Sequence, residues 1–222
     1  MNDSLQVSEL FYSIQGESTR AGLPCAFIRL SGCNLRCAWC DSRYTWEEPG
    51  RATTTGEILA WLSAYHGAMV EITGGEPLLQ EAVYPLMERL LATGHEVLLE
   101  TNGSLAVDRV PAGVSIILDI KCPGSGMAEH NLAVNMERLA ERSRQGCRDE
   151  IKFVIGSEQD FTWAAALTEE RGLSALCPVL FSPVRGTMDA GRLADLILER
   201  RLRVRLQLQL HTLLWPDTPR GV

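Results

Sequence analysis

The sequence predicts an α/β fold, an incomplete (βα)6-type barrel open along one side. Short apolar runs alternate with longer amphipathic segments, the pattern of parallel strands joined by right-handed helical crossovers. The chain has 222 residues, room for about six such units and fewer than the ~250 residues of a closed eight-fold barrel. Polar clusters follow directly after the apolar runs, at the strand ends where parallel α/β sheets build their sites.

The strands are expected at Cys25–Leu30, Val70–Thr73, Glu96–Glu100, Ser115–Ile120, Glu150–Ile155, Val179–Phe181 and Val204–Leu210. Several are β-branched or nearly continuously apolar, as strands covered on both faces are. Between them, Thr53-Thr54-Thr55-Gly56-Glu57 reads as a polar cap leading into a helix at Ile58–Tyr65. Glu81–Ala92 carries Val83, Leu86, Met87, Leu90 and Leu91 on one stripe and is closed by Gly94. Glu129–Arg144 and Gln159–Arg171 read as helices, and Asp189 caps a last one running to Arg200. No linker, repeat or low-complexity tract divides the chain, so residues 1–222 are expected to form a single domain.

Composition excludes several classes of function. Twenty-eight acidic residues against 21 basic give a net charge of −7, which argues against nucleic acid or an anionic membrane as partner. No apolar run reaches the roughly 18 residues that a membrane span needs. Met1-Asn2-Asp3-Ser4 lacks the charged and apolar regions of a secretory signal, so a cytoplasmic protein is expected. Seven cysteines, an odd number, do not suggest a disulfide framework in that compartment. Cys25, Cys122, Cys147 and Cys177 are scattered and read as small buried hydrophobes.

The other three fall within eight residues: Cys33, Cys37 and Cys40, spaced C-x3-C-x2-C. Thiolates that close together are soft ligands for zinc, copper(I) or an iron–sulfur cluster. Structural zinc takes four protein ligands, and the chain's histidines (66, 95, 130 and 211) are distant in sequence. A [4Fe–4S] cluster takes one thiolate per iron, so three would leave an iron open to a small molecule. Gly74-Gly75-Glu76-Pro77 ends the second strand. Two residues without Cβ expose backbone there, and the Glu76 carboxylate suits the ammonium group of an amino acid bound to that iron.

Together, the three-cysteine motif and the Gly-Gly-Glu-Pro strand end resemble the radical S-adenosylmethionine (SAM) superfamily. The flanking segments Phe11–Ser18, Phe27-Ile28-Arg29, Cys40-Asp41-Ser42, Tyr44-Thr45-Trp46, Glu100–Ser104 and Gln209–Val222 are similar to the 7-carboxy-7-deazaguanine synthase family of queuosine biosynthesis. The resemblance runs from about residue 7 to the end and implies a partial TIM barrel. It also implies a [4Fe–4S] cluster, SAM and Mg2+ as cofactors. The implied substrate is 6-carboxy-5,6,7,8-tetrahydropterin. A SAM-derived radical would remove hydrogen from C6, after which the ring contracts and ammonia leaves.

Site residues carry over by position. The resemblance assigns Cys33, Cys37 and Cys40 to the cluster and Ser42 to Mg2+. It assigns Ile14, Gln15, Gly16, Arg29, Thr73, His211 and the Val222 carboxylate to substrate. Trp39, Cys40, Asp41, Gly75, Glu76, Asn102, Asp119, Ile120, Lys121 and Ser182 fall to SAM. Independently of the family, Arg29 at a strand end can pair bidentately with a carboxylate. Two stretches depart from the family pattern: Asp119-Ile120-Lys121 replaces Ser-Pro-Lys, and Ser182-Pro183-Val184-Arg185 replaces Gln-Pro-Met-Asp. The Asp-Ile-Lys form also resembles the glycyl-radical activating enzymes, which is the alternative reading. The expected partners are a reductant such as flavodoxin or ferredoxin and a second copy of the chain.

Overall fold

The computed structural model describes residues 3–218 and 220–222. Met1 and Asn2, part of the stretch weighed above for a secretory signal, lie outside them. Among the described residues no helix is long and apolar enough to cross a membrane.

Among the described residues, nine strands form one open sheet. They are β1 (Ser4–Ile14), β2 (Pro24–Leu30), β3 (Arg51–Thr54), β4 (Met69–Gly74), β5 (Val97–Thr101), β6 (Val114–Asp119), β7 (Glu150–Ile155), β8 (Val179–Pro183) and β9 (Arg205–Leu206), in the order β3-β1-β2-β4-β5-β6-β7-β8-β9. From β2 through β9 every pairing is parallel, giving the expected partial barrel. β1 and β3 extend its first edge antiparallel and were not foreseen. A bulge between Val7 and Glu9 shifts the register of β1, which breaks the period-2 pattern that would have marked it.

The helices are α1 (Tyr44–Glu47), α2 (Thr55–Leu62), α3 (Val83–Ala92), α4 (Ala133–Arg144), α5 (Glu158–Glu170), α6 (Leu173–Leu176), α7 (Ala190–Glu199) and α8 (Leu210–Leu214). The expected caps are in place. Thr54 and Glu57 form a reciprocal capping box on α2, and Asp189 accepts the backbone N–H of Arg192 at α7. Helix α4 begins four residues later than its pattern suggested. Asn131 is spent instead on pairing its amide with both backbone groups of Lys121, at 2.9 Å each. The last strand is shorter than expected because Leu210 turns away to donate its N–H to the Gly16 carbonyl (3.0 Å), starting α8.

Side-chain alternation sorts each barrel strand into two faces. Ile28, Ile72, Leu99, Ile116, Ile151 and Phe181 face the helices and join Leu86, Leu90, Leu139, Phe161 and Leu193 in the main core. The other face looks into the barrel. At its amino end Cys25, Phe27, Met69, Leu98 and Ile117 form a small apolar cluster, against which Phe11 packs. Toward the carboxyl ends the same face turns polar, as Arg29, Glu71, Thr73, Glu100, Asp119 and Lys152.

The loop between β1 and β2 seals the barrel from below. Thr19 donates its N–H to Glu150 Oε2 (2.9 Å), while Arg20 reaches Glu150 Oε1 (2.5 Å), Ser115 Oγ (3.0 Å) and Glu96 Oε1 (3.2 Å). Those partners stand at or just before the amino ends of β7, β6 and β5, so the loop crosses the amino-terminal mouth of the barrel.

Candidate active site

Sealed below, the barrel opens at its carboxyl rim into a cavity of ≈ 240 Å³. Seventeen of the residues singled out from sequence line it: Ile14, Gln15, Gly16 and Arg29; Cys33, Cys37, Trp39, Cys40, Asp41 and Ser42; Thr73, Gly75, Asn102, Asp119 and Lys121; His211 and Val222. Glu76, Ile120 and Ser182 stand outside the lining.

The cysteine loop is held against the β4 end by backbone. Gly75 N–H donates to the Leu30 carbonyl (3.1 Å) and Glu76 N–H to the Gly32 carbonyl (2.8 Å). A Cβ on Gly74 would strike the Leu30 backbone, and one on Gly75 the Gly32 carbonyl, so neither position can carry a side chain without moving the loop. Cys33 Sγ accepts from Leu35 N–H (3.4 Å) and from Asn102 Nδ2 (3.8 Å). Burial pushes the Cys33 and Cys37 thiols up, and the nearby Lys121 charge pulls both back. All three are free thiols opening on one cavity. A soft set of three with N–H donors to sulfur fits an iron–sulfur cluster with one iron left open.

Trp39 is seated between two glycines. A Cβ on Gly124 or Gly156 would press on its ring, at 3.0 and 2.7 Å. Asp160 fixes both turns by accepting Gly124 N–H (2.8 Å) and Gly156 N–H (3.2 Å). Beside it, Lys121 Nζ is paired with Asp119 Oδ2 at 2.7 Å. Burial opposes the lysine charge, but Asp119 and Cys37 together outweigh it and hold the ammonium above its ordinary range. Asp119 Oδ1 is buried and has no hydrogen-bond partner among the described residues. Lining the cavity, Asp119 and Lys121 offer an acceptor and a cation to a polar cofactor.

Glu76 has a different task from the expected one. It is fully buried, and its two oxygens accept from Leu78 N–H (3.0 Å), Asn102 N–H (2.8 Å) and Thr101 Oγ1 (2.9 and 3.0 Å). Burial pushes its carboxyl up while those donors pull it down. The carboxylate is spent tying the β4 end to the β5 end, which leaves it no ammonium to meet. Replacing Glu76 with alanine should therefore cost about 2–4 kcal/mol, since it strands several buried donors; thermal melting of the purified variant measures it. Ile120 belongs to the helix-facing core, and Ser182 is buried at the end of β8.

Across the cavity, Arg29 stands on β2. Its Nε donates to Glu9 Oε2 (3.1 Å), which also accepts from the Tyr44 hydroxyl (3.1 Å). Neither terminal guanidinium nitrogen makes a hydrogen bond among the described residues, so the side chain offers the cavity two parallel N–H donors. The floor beneath carries groups that the sequence reading did not assign. Gln15 Nε2 donates to Glu71. Lys152 Nζ bridges Glu100 and Glu17, the latter at 2.8 Å, and Thr73 Oγ1 donates to Glu100 at 3.2 Å. Two carboxylates thus share one lysine, and a third, Glu71, lies close enough to feel all three charges. Lys152 is held well above its usual range, because Glu100 and Glu17 outweigh the cost of its burial. Glu71, which burial, Glu100 and Glu17 all disfavour as an anion, is pushed up to about 8.

The C-terminal segment covers the mouth. His211 lies against Gly16 so closely that a Cβ there would meet its ring. Gln209 Nε2 spans Glu17 (2.9 Å) and Asp41 (3.3 Å). Arg220 stacks on the Tyr44 ring at 4.0 Å and pairs with Glu48 at 2.9 Å.

Comparison with known proteins agrees with this geometry. Residues 27–114 match the radical SAM superfamily. A 7-carboxy-7-deazaguanine synthase of Chlorobaculum tepidum is 46% identical, covering 98% of this chain and 97% of its own. Its counterpart in Koribacter versatilis is 44% identical over 98% and 100%. The crystal structure of QueE from Escherichia coli superposes with a TM-score of 0.75 at 27% identity, over 93% of this chain and 94% of that one. Streptococcus suis SuiB, at 16% identity and a TM-score of 0.60, shares the fold over 82% of this chain and 48% of its own. This chain belongs to the 7-carboxy-7-deazaguanine synthase family of radical SAM enzymes.

Proposed function

We propose that the chain is a lyase converting 6-carboxy-5,6,7,8-tetrahydropterin to 7-carboxy-7-deazaguanine with release of ammonia, a step toward queuosine. The observation that carries the substrate is Arg29 in the cavity wall, stacked over the Phe11 ring and tied to Glu9 by Nε, with both terminal nitrogens making no hydrogen bond among the described residues. A carboxylate on a flat heterocycle would dock there bidentately, while Gln15 and Thr73 below meet the ring's polar edge. Cys33, Cys37 and Cys40 would hold the [4Fe–4S] cluster, and Trp39, Asp119 and Lys121 would line the SAM side. When bound, the cluster and SAM supply the one-electron chemistry that starts the reaction. The protein's part is to orient the substrate on Arg29 and to keep water out under the tail.

The same reading places Mg2+ at the Ser42 hydroxyl, with substrate and water completing an oxygen shell. It makes the reductant a flavodoxin or ferredoxin, the enzyme a cytoplasmic homodimer and residues 1–222 one domain. The glycyl-radical activase reading is not favoured, because the close relatives are deazaguanine synthases over nearly their whole length.

Anaerobically reconstituted protein given reductant, SAM, Mg2+ and the carboxypterin should yield the deazapurine and one equivalent of ammonia. SAM cleavage without deazapurine would sink the substrate assignment.

A further inference from the structure

Glu71 is used by neither cluster nor SAM, yet it sits at the centre of the floor. It lines the cavity while being only 3% exposed. One oxygen, Oε2, accepts from Gln15 Nε2; among the described residues Oε1 makes no hydrogen bond within the protein. Gln15 is held at its other end too, since its Oε1 accepts the backbone N–H of Glu17 at 2.9 Å. A glutamine amide is nearly symmetric in shape but not in chemistry: reversing it exchanges donor for acceptor. Here the Glu17 N–H sets the orientation, because it needs an oxygen, and the NH2 so turned is held by a Glu71 oxygen.

We propose that Glu71 is a positioning residue for substrate recognition, locking the Gln15 amide so that one fixed N–H and one fixed lone pair meet the aminopyrimidinone edge of the pterin. This rests on the pterin reading above. The lock selects heterocycles whose donor and acceptor pattern complements that orientation, in the way buried polar sites reject ligands that leave a group unpaired.

The charge state of Glu71 bears on the lock. It faces Glu17 from the β1–β2 loop, Glu100 from β5, Lys152 from β7 and the Cys25 thiol from β2. Lys152 is already shared by Glu17 and Glu100. A carboxyl raised to about 8 is neutral below that pH and ionises above it. Ionisation would add a further negative charge beneath an anionic ligand, so affinity should fall as pH rises through about 8.

The test compares wild type, Glu71→Leu and Glu71→Gln, all reconstituted with cluster. Two readouts are taken between pH 6.5 and 9.5: turnover of the carboxypterin, and equilibrium binding of pterin-6-carboxylate, an unreactive fluorescent analogue. Glu71→Leu should raise KM and the analogue's Kd about tenfold, the loss expected for stranding one buried amide donor, with a much smaller effect on kcat. Glu71→Gln, whose side-chain oxygen accepts the same bond, should restore both values and abolish the weakening above pH 8. Wild-type affinity in Glu71→Leu, or Glu71→Gln as weak as Glu71→Leu, would overturn the proposal. Analogue binding that follows this pattern without turnover of the carboxypterin would uphold the lock and refute the reaction.

Discussion

Cys37→Ala is expected to give a folded, colourless protein with activity reduced by more than about a thousandfold, because it removes one of the three thiolates that anchor the four-iron cluster. The fold should survive because its stability lies elsewhere. Ile28, Ile72, Leu99, Ile151 and Phe181 are fully buried against the helices, whereas Cys37 stands on the rim, half-exposed. The measurements are iron content, the visible absorption of the anaerobic protein and its melting temperature. A variant that retained iron and turnover would remove the cysteine triad from the reaction. One that failed to melt cooperatively would mean that metal holds the barrel together, against the argument from its core.

Arg29→Ala carries the second large effect. The guanidinium holds Glu9 with Nε and leaves both terminal nitrogens to the cavity. Removing it deletes a bidentate charge pair in a largely desolvated wall and leaves Glu9 facing the substrate's own carboxylate. KM for the carboxypterin should rise by about a hundredfold or more, the scale for losing one partner of a buried charged pair. Arg29→Lys should recover only part of this, since an ammonium cannot make two parallel bonds from one plane. The discriminating measurement is binding of a pterin without the carboxylate, which wild type and Arg29→Ala should bind alike. If Arg29→Ala weakened both ligands equally, the residue would be shaping the wall rather than reading the carboxylate.

What sequence could and could not reveal follows from how each element earns its place. Five of the barrel strands were legible within a residue and β8 within two, since their helix-facing positions are β-branched or large and apolar at every second residue. The rim was legible because Gly74-Gly75, Asn102 and Asp119-Ile120-Lys121 each follow a strand. The floor was not. Glu71 in Val70-Glu71-Ile72-Thr73 and Lys152 in Ile151-Lys152-Phe153 interrupt runs that otherwise read as covered on both faces. Taken at period two, they announce a strand with one dry face and one polar lumen. Glu76 misled in the opposite sense. A carboxylate beside two glycines suggests an exposed ligand, but its partners Thr101 and Asn102 lie about 25 residues away, and only the paired strand ends show that it is satisfied.

The loop that seals the barrel also sets when the active site comes into being. Its Arg20 meets Glu150 130 positions further along the chain, and Glu17 meets Lys152 at a separation of 135. Contacts of such separation pay their loop-closure entropy late and slow folding. During synthesis, β1 and its loop emerge first and wait for β7 before the floor can form. The early half-barrel can bury Ile28, Ile72 and Leu99 against α2 and α3, yet it has nothing with which to hold Glu17. The floor of the site therefore depends on the two halves of the chain closing on each other.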